Sequence, residues 1–413
     1  MEGERPREPY IFASREKPLP ERAGIGVIGG MKISCPLGSV VIRVAGFLLG
    51  VGLAGADSVP SSAWPAFRGD PALSGFAPAA PNPPLRKAWT FTCAGAVQAT
   101  PISDGELIWI GSLDGHLYAL DAATGSNRWR YPAGDAIEAP ALLAAPHLLV
   151  VGTRKGEVHA VDPRSGEPRW IFTASAKITA APARDAAGRI LVGSFDARLH
   201  ALDPQTGTSL WTYACDSYLN GTPAVEGERA VFGSCDGRLR HIRTDTGALI
   251  REVDLESYIP ANPLLARARA VAGTVANGVW CWDLSTGGRL WQYAPSNTQW
   301  MAAPATDGDL LVIGAQNRTL HALALEDGRP RWVHPARAGF LGAPLLTPAV
   351  VIAADERGHL LILDRATGRT RWSYSLGADV HGAPALIAGR LVIGTEEGTV
   401  WAFESIPPSP AGP

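Results

Sequence analysis

A repeat of 40 or 41 residues runs through most of this sequence. The string GSLDGHLYALD at residues 111–121 is followed by a Thr-Gly pair and then a Trp, and similar strings return later in the chain. The Trp anchor of the repeat is found at Trp89, Trp129, Trp170, Trp211, Trp291, Trp332 and Trp372, and its eighth position holds Arg251. A Pro anchor has the same period and is found at Pro101, Pro140, Pro182, Pro223, Pro263, Pro304, Pro344 and Pro384. Eight copies of each anchor predict eight copies of one structural unit.

Each unit has the pattern of four short β-strands. One strand contains the Trp anchor, one surrounds the Pro anchor, one is apolar and ends in Gly, and one resembles LYALD. Asp-Gly, Asn-Gly and Thr-Gly pairs between them are typical of tight β connections. Four strands in about 40 residues, repeated radially, predict an all-β, eight-bladed β-propeller with four-stranded antiparallel blades. No apolar pattern of period 3.6 lasts ten residues in the repeats, which excludes helical repeats.

The first Trp anchor indicates how the ring closes. Trp89 precedes Pro101, so its strand has no inner strands of its own. We expect this strand to complete the last blade, because joining the two chain ends removes a free sheet edge. The expected organisation is a mis-assigned or disordered start (residues 1–30), a signal peptide (31–56), a leader (57–84), the propeller (85–404) and a disordered tail (405–413).

The residue types between the strands have a physical role. In the Asp-x-x-Thr-Gly turns the Asp side chain accepts backbone N–H groups, and Gly adopts a positive φ at low cost. The Trp that follows is expected to lie between neighbouring blades, where burying its indole contributes on the order of 5 kcal/mol. Arg251 should therefore leave the seam after the fourth blade weaker.

The charge and the N-terminal pattern restrict partners and location. A net charge of −2 and a pI near 6.5 leave no electrostatic footprint for nucleic acid. Residues 31–56 have a Lys near the start, an apolar stretch over residues 40–53 and an AGA site ending at Ala56, the pattern of a signal peptide that starts at Met31. We expect cleavage near Ala56, export to the periplasm or the exterior, and no transmembrane segment afterwards. The alternative is that the segment is kept as an anchor.

The repeat resembles a known family. The string ALDAATGSNRW, at residues 119–129, and its counterpart at residues 201–211 resemble the tryptophan-docking motif of the pyrroloquinoline-quinone (PQQ)-like eight-bladed propellers. The WPAFRGD string at residues 64–70 resembles a leader in exported members, a group that includes the BamB-type outer-membrane assembly factors. This resemblance covers nearly the whole mature chain. It implies a propeller that binds a protein partner in the cell envelope.

Signatures of catalysis and metal binding are absent from the sequence. It has no adjacent Cys pair, no Cys-x-x-Cys-His, no Gly-x-Ser-x-Gly and no His-Glu-x-x-His. The His residues that recur near the LYALD strand lack a second ligand at metal spacing, so we interpret them as structural. We therefore expect no catalytic residue, no metal and no cofactor. PQQ with calcium remains the alternative that the family resemblance leaves open.

The loops that precede the Pro anchors vary in chemistry while the anchors do not. Such variation on a repeated scaffold is typical of a binding rim around a propeller's central funnel. The candidate rim residues are Asp135, Lys177, Tyr218, Tyr258, Gln299, Trp300, Asp379 and His381. The side chains of Trp300, Phe340 and Met301 either line an open funnel or plug it. Ordinary loop variation without a ligand is the competing interpretation.

Export makes disulfide bonds feasible. Cys215 and Cys235 are expected at the same face of the ring, where they are a candidate pair, whereas Cys281 replaces a small core residue and should be a free thiol. The functional hypothesis is a non-catalytic, monomeric, exported propeller that serves as an interaction or assembly scaffold in the envelope. The alternatives are a PQQ-dependent oxidoreductase and a small-ligand sensor that uses the funnel.

Overall fold

The computed structural model describes residues 63–406. It contains thirty-two β-strands in eight four-stranded antiparallel sheets, so the predicted eight-bladed propeller is confirmed. In seven blades the strands follow chain order from a short inner strand to the outer strand. No helix with the length and hydropathy of a membrane span occurs in this part of the chain.

The first four blades follow one another without interruption. Blade 1 contains β2 (Ile102–Ser103), β3 (Leu107–Gly111), β4 (His116–Asp121) and β5 (Asn127–Pro132). Blade 2 contains β6 (Leu142–Ala145), β7 (Leu148–Gly152), β8 (Glu157–Val161) and β9 (Pro168–Thr173). Blade 3 contains β10 (Ala183–Arg184), β11 (Ile190–Ser194), β12 (Arg198–Leu202) and β13 (Ser209–Ala214). Blade 4 contains β14 (Ala224–Glu226), β15 (Arg229–Gly233), β16 (Arg238–Arg243) and β17 (Leu249–Asp254).

The last four blades have the same order, except that the outer strand of blade 8 comes from the start of the ring. Blade 5 contains β18 (Leu264–Ala266), β19 (Arg269–Gly273), β20 (Val279–Asp283) and β21 (Arg289–Tyr293). Blade 6 contains β22 (Ala305–Thr306), β23 (Leu310–Ala315), β24 (Thr319–Ala324) and β25 (Pro330–Pro335). Blade 7 contains β26 (Leu345–Leu346), β27 (Val350–Ala354), β28 (His359–Asp364) and β29 (Thr370–Ser375). Blade 8 contains β30 (Ala385–Ile387), β31 (Arg390–Gly394), β32 (Thr399–Ser405) and β1 (Leu85–Thr92).

Ring closure follows the sequence prediction. The strand β1, which holds Trp89, pairs antiparallel with β32, from Leu85 opposite Ser405 to Thr92 opposite Thr399. The two ends of the ring therefore share one sheet, as the position of Trp89 ahead of Pro101 indicated.

Six seams between blades share one contact. The indole N–H of the Trp anchor donates to a carbonyl in the turn of the next blade, at N···O distances of 2.9–3.3 Å. The turn Gly lies under the ring: Gly125 has φ +72°, and a Cβ there would lie 2.5 Å from the indole of Trp89. Gly is thus required for both its conformation and its small size. The six anchors are Trp89, Trp129, Trp170, Trp211, Trp291 and Trp332.

Two seams differ. Between blades 4 and 5, Arg251 lies over Gly287, and its Nη2 is 3.5 Å from the carbonyl of Ser285, the outer limit of a hydrogen bond. A cavity of about 20 Å³ remains beside it. Between blades 7 and 8, the outer strand of blade 8 comes from the other chain end, so no turn is available. Trp372 instead packs against Tyr374 and Phe403, with ring centroids 5.9 Å apart in each case.

Residues 64–77, which we call the channel segment, run along the inner strands around the central channel instead of forming a linker. Its carbonyls accept the inward N–H of an inner strand in six blades, at 2.7–2.9 Å. The donors are Ser103, Leu143, Val225, Leu265, Thr306 and Leu346. One short segment therefore joins blades 1, 2, 4, 5, 6 and 7.

Several histidines of the third strands are held by other side chains, whereas the Nδ1 of buried His241 has no hydrogen-bond partner among the described residues. The Nδ1 atoms of His159 and His321 lie 2.9 and 3.0 Å from the hydroxyls of Tyr131 and Tyr293, and His200 Nε2 lies 3.0 Å from Asp196. Burial lowers the pKa of His321 to about 4. Among residues 63–406 no group of three His, Cys, Asp or Glu side chains could hold a metal ion.

The predicted Cys215–Cys235 pair is not bonded, which corrects that prediction. Both are free thiols, as are Cys93 and Cys281. The backbone N–H of Cys215 donates to Ala197 in blade 3, whereas that of Cys235 donates to Tyr218 in the loop that leads into blade 4. The Cys235 thiol hydrogen-bonds with the Tyr258 hydroxyl instead of pairing with Cys215. The predicted signal peptide and the cleavage near Ala56 lie outside the described residues, as do residues 407–413.

Candidate functional site: the channel entrance and its rim

The rim is formed by two loops of each blade. The loop that precedes the inner strand lies beside the loop between the second and third strands of the same blade, and a backbone hydrogen bond joins the two loops in every blade. Phe195 N–H donates to the carbonyl of Lys177 at 3.0 Å, and Cys235 N–H donates to that of Tyr218 at 2.9 Å. Sequence alignment on the Pro anchor found the first loop of each pair and missed the second.

The channel entrance is small. It encloses a cavity of about 180 Å³. Phe67 of the channel segment forms part of its lining and packs against Ala303, Ala343 and Ala383, the small residues that precede three Pro anchors. The sequence assigned Phe67 only to a leader, because nothing in the repeat indicates that the leader enters the ring.

Arg68 fixes the channel segment in the ring. Its side chain is buried, and its Nη1 and Nη2 atoms donate to the carbonyls of Pro344 and Pro304 at 2.9 and 2.6 Å. Burial lowers the pKa of this guanidinium to about 10, and the carboxylate of Asp70 partly opposes the shift. Arg68 therefore ties the segment to blades 6 and 7 through their Pro anchors.

Three of the predicted rim residues belong to one contiguous strip. Lys177 Nζ lies 4.3 Å from the ring centroid of Phe195, and this ring stacks on Tyr218 at 5.2 Å with 17° between the planes. Farther along, the Tyr258 hydroxyl accepts a hydrogen bond from Asn220 at 2.7 Å. We call these five residues the rim strip.

The strip is exposed and yet restrained. The exposed fractions are 43% for Tyr218 and 36% for Tyr258. Burial of part of its ring and the neighbouring Cys235 thiol raise the pKa of Tyr258, so its hydroxyl is neutral at physiological pH. Stacking and hydrogen bonding hold these aromatic side chains in place before any partner binds, which reduces the entropy cost of binding. Phe195 and Asn220 are the members that the sequence missed.

The other polar rim candidates lie apart from the strip and are engaged locally. Asp135 accepts the N–H of Ala136 at 2.8 Å, and Asp379 forms a 3.6 Å ion pair with Arg357. Gln299 is exposed beside the loop that contains Gln316.

His381 lies at the closing seam. Its Nδ1 is 3.0 Å from Glu396, whose other carboxylate oxygen accepts a hydrogen bond from Gln98 at 3.1 Å. The cluster therefore connects the rim of blade 8 to the loop that enters blade 1. His381 and Gln98 also line the entrance cavity.

Trp300 is not an exposed rim residue, which corrects its assignment. Its side chain is fully buried and packs edge-on against His321 at a centroid distance of 5.0 Å. In other blades, the side chain four residues before the Pro anchor occupies the same apolar position. It packs on the Gly that ends a second strand. Phe340 occupies it against Gly314, and a Cβ at Gly273 would lie 2.9 Å from Trp300. Comparison of this slot across the repeats would have identified Trp300 as core; Met301 does line the entrance.

The fold and the small entrance define an eight-bladed repeat propeller with a preformed rim surface. A family model described as "Outer membrane protein assembly factor BamB" matches residues 84–176, 154–294, 275–372 and 348–406. These matches cover most of the chain, so the protein belongs to this PQQ-like, BamB-type propeller family. No curated protein matches the sequence.

Solved structures share the fold at low identity. BamB from Moraxella catarrhalis is 18% identical, with a TM-score of 0.65, over 78% of this chain and 99% of that chain. A europium-containing methanol dehydrogenase is 12% identical, with a TM-score of 0.73, over 83% and 98% of the two chains. A quinohemoprotein alcohol dehydrogenase from Comamonas testosteroni is 13% identical, with a TM-score of 0.73, over 86% and 83%. At these identities the likeness concerns the fold alone.

Proposed function

We propose that this protein is a non-catalytic, exported propeller that binds a protein partner in the cell envelope through the rim strip. The observation that carries the proposal is the stack of exposed Lys177, half-buried Phe195 and exposed Tyr218, beside the hydrogen-bonded pair of Asn220 and Tyr258. Aromatic side chains that are rigid and partly exposed are typical energetic centres of protein interfaces. Membership of a family described by an outer-membrane assembly factor supports the envelope location, together with the predicted signal peptide.

The entrance supports a function without PQQ. PQQ is a flat tricyclic quinone with three carboxylates, and ligand pockets enclose about 300–1,000 Å³. The entrance here encloses about 180 Å³, and no Lys or Arg of the described residues lines it. Phe67 and Met301 take up its apolar part, and the His381–Glu396 pair is directed to the closing seam. These residues do not fit a trianionic quinone with calcium.

A quinone titration separates the proposal from the oxidoreductase alternative. We expect PQQ with calcium to cause no saturable change in Trp fluorescence and no dye-linked alcohol oxidation. Binding at micromolar PQQ that His381→Ala abolishes would support the alternative instead.

The partner is tested by capture with matched variants. Purified protein should retain one reproducible partner from an envelope extract. Tyr218→Ala and Lys177→Ala should each weaken its retention at least about tenfold, because hot-spot truncations cost about 2 kcal/mol or more. Ile171→Ala is the control, since Ile171 is 54% exposed on an outer strand away from the rim. Failure to retain a partner, or equal retention by all variants, would refute the proposal.

A further inference from the structure

The channel segment leaves two inner strands without a backbone partner. In each of six blades, one N–H of the inner strand points inward and donates to the segment. This donor lies two residues after the Pro anchor in blades 1, 4, 5, 6 and 7, and three residues after it in blade 2. The equivalent donors in blades 3 and 8 are Arg184 and Leu386. Leu386 is buried in the same core cluster as Trp64 and Ala77, whereas Arg184 is exposed. Only the edge of blade 3 is therefore both unpaired and accessible within residues 63–406.

The gap at blade 3 has a local cause. The chain bonds blade 2 through the Pro65 carbonyl and blade 4 through the Pro71 carbonyl. Between them a turn, closed by the Gly69 N–H donating to the Ala66 carbonyl at 3.0 Å, diverts the segment into the channel. The diversion that inserts Phe67 and Arg68 thus carries the backbone past blade 3 without a backbone hydrogen bond.

A cleft remains where the chain is diverted. It encloses about 760 Å³ between the channel segment and the inner strands of blades 2, 3 and 4. Pro65, Pro71, Leu143 and Val225 give it apolar walls, and the edge of β10 at Arg184 forms one side. This volume is within the range of binding pockets for ligands of several hundred daltons, which includes a peptide of a few residues.

The charged residues that line the cleft are Arg184 and two aspartates, Asp70 and Asp185. Arg184 makes no ion pair with any carboxylate of the described residues. The two acidic residues of the cleft are already engaged, since Asp185 binds Arg189 at 2.7 Å and Asp70 accepts the N–H of Ser74 at 3.2 Å. An incoming carboxylate would pair with Arg184 without displacing an existing partner.

We propose that this cleft binds an extended, acidic segment of a partner protein, which adds as a strand to the edge of β10. Its backbone carbonyl accepts the Arg184 N–H, in the way the channel segment binds the other inner strands, and its carboxylate pairs with the Arg184 guanidinium. An apolar side chain two residues away packs between Pro65 and Val225. Addition of a strand to a free sheet edge is a general mode of peptide recognition. The site is independent of the rim strip.

Defined peptides test this site. The probe is fluorescein-labelled Val-Glu-Val-Glu-Val, and the charge control is Val-Lys-Val-Lys-Val. We expect fluorescence anisotropy to give a Kd on the order of 100 μM for the acidic probe and at least tenfold weaker binding for the basic one. Arg184→Glu reverses the charge at the strand edge, and Ala186→Trp fills the cleft. Each variant should weaken binding at least tenfold. Arg198→Glu is the matched control, because Arg198 is an exposed arginine of the same blade that does not line the cleft.

Hydrogen exchange supplies a second readout for protein that stays folded. The Arg184 amide should exchange faster than the paired Val225 amide, and the acidic probe should slow it. No binding at millimolar probe, equal binding of both peptides, or an equal effect of Arg198→Glu would overturn the proposal. Binding that survives Arg184→Glu but is lost in Tyr218→Ala would assign the peptide to the rim strip and also overturn it.

Discussion

At the scale of single residues, Arg251 shows what the Trp anchor contributes. An indole fills the space between two blades and donates one hydrogen bond to the turn beyond, as Trp211 does at 3.0 Å. The guanidinium of Arg251 covers Gly287 but leaves the adjacent cavity and only a 3.5 Å contact to Ser285. The fourth seam is therefore packed less well than the six seams with a docked Trp.

Replacing Arg251 with Trp should stabilise the protein. The turn in blade 5 already has the Gly that the ring requires, so the indole can adopt the contact seen in the other seams. We expect a gain of about 1–2 kcal/mol, as is common for filled cavities, and a higher Tm. Thermal unfolding measures it, with Trp291→Ala as the opposite control, expected to cost about 3–5 kcal/mol. A lower Tm for Arg251→Trp would contradict this account of the seam.

His321 predicts an acid-sensitive stability. Burial holds its pKa at about 4 in the native state, whereas the unfolded side chain titrates near 6.5. Between these values the unfolded chain binds a proton that the native protein does not, so stability falls as the pH drops from 6.5 to 4. The slope due to this residue approaches about 1.4 kcal/mol per pH unit.

His321→Gln should make the pH dependence of Tm shallower over this window. The control is His147→Gln, which changes an exposed turn residue and should leave the slope as in the wild type. Buried His159 and His241 and half-buried His334, whose pKa values burial also lowers, keep part of the slope in both variants. Identical slopes for the wild type and His321→Gln would show that His321 is not buried in its neutral form.

At the scale of elements, the ring holds the channel segment mainly through hydrogen bonds to its backbone. Its carbonyls bond six inner strands, and the side chain of Arg68 adds the two bonds to Pro304 and Pro344. Gly75 permits this arrangement, because it has φ +65° and a Cβ there would overlap the guanidinium of Arg68. The segment thus links six of the eight blades to one another from inside the ring.

Gly75→Ala should loosen this element without changing the sheets. The added methyl group displaces Arg68 and strains the backbone, at a cost of about 1–3 kcal/mol. We expect faster amide exchange at Thr306 and Leu346, measured by mass spectrometry. Gly227→Ala is a matched control, since Gly227 also has a positive φ but a Cβ there would meet nothing within 4 Å. Equal exchange in the two variants would argue against a role of Arg68 in holding the segment.

At the scale of the whole molecule, stability depends on closing the ring. Within residues 63–406, blade 8 is the only sheet that contains strands from both ends of the ring, because β1 pairs there with β32. Deleting residues 399–413 removes β32, exposes two sheet edges and should abolish the soluble monomer. Deleting residues 407–413 alone leaves every described strand intact and should leave Tm unchanged. Size-exclusion chromatography and thermal unfolding distinguish the two, and a folded monomer after the longer deletion would contradict the closure.

The sequence predicted what is repeated and missed what occurs once. The Trp and Pro anchors specify blade number, strand order and ring closure, because each repeat forms the same packing contacts. Phe67, Arg68 and Phe195 depend on how a non-repeated segment or a second loop meets the ring, so no periodic pattern identified them. The assignment of Trp300 to the rim is wrong for a different reason. The residue type at its position varies among the repeats, although the position is apolar in neighbouring blades.

Site-specific photo-crosslinking at position 218 tests the proposed function most directly. A photoreactive phenylalanine analogue replaces Tyr218 in the full chain expressed in its native envelope, and the same analogue replaces Ile171 as the control. We predict one dominant protein adduct at position 218, none at position 171, and loss of the adduct when Lys177→Ala is added. The absence of an adduct at position 218, or the same adduct at both positions, would contradict a partner-binding role for the rim strip.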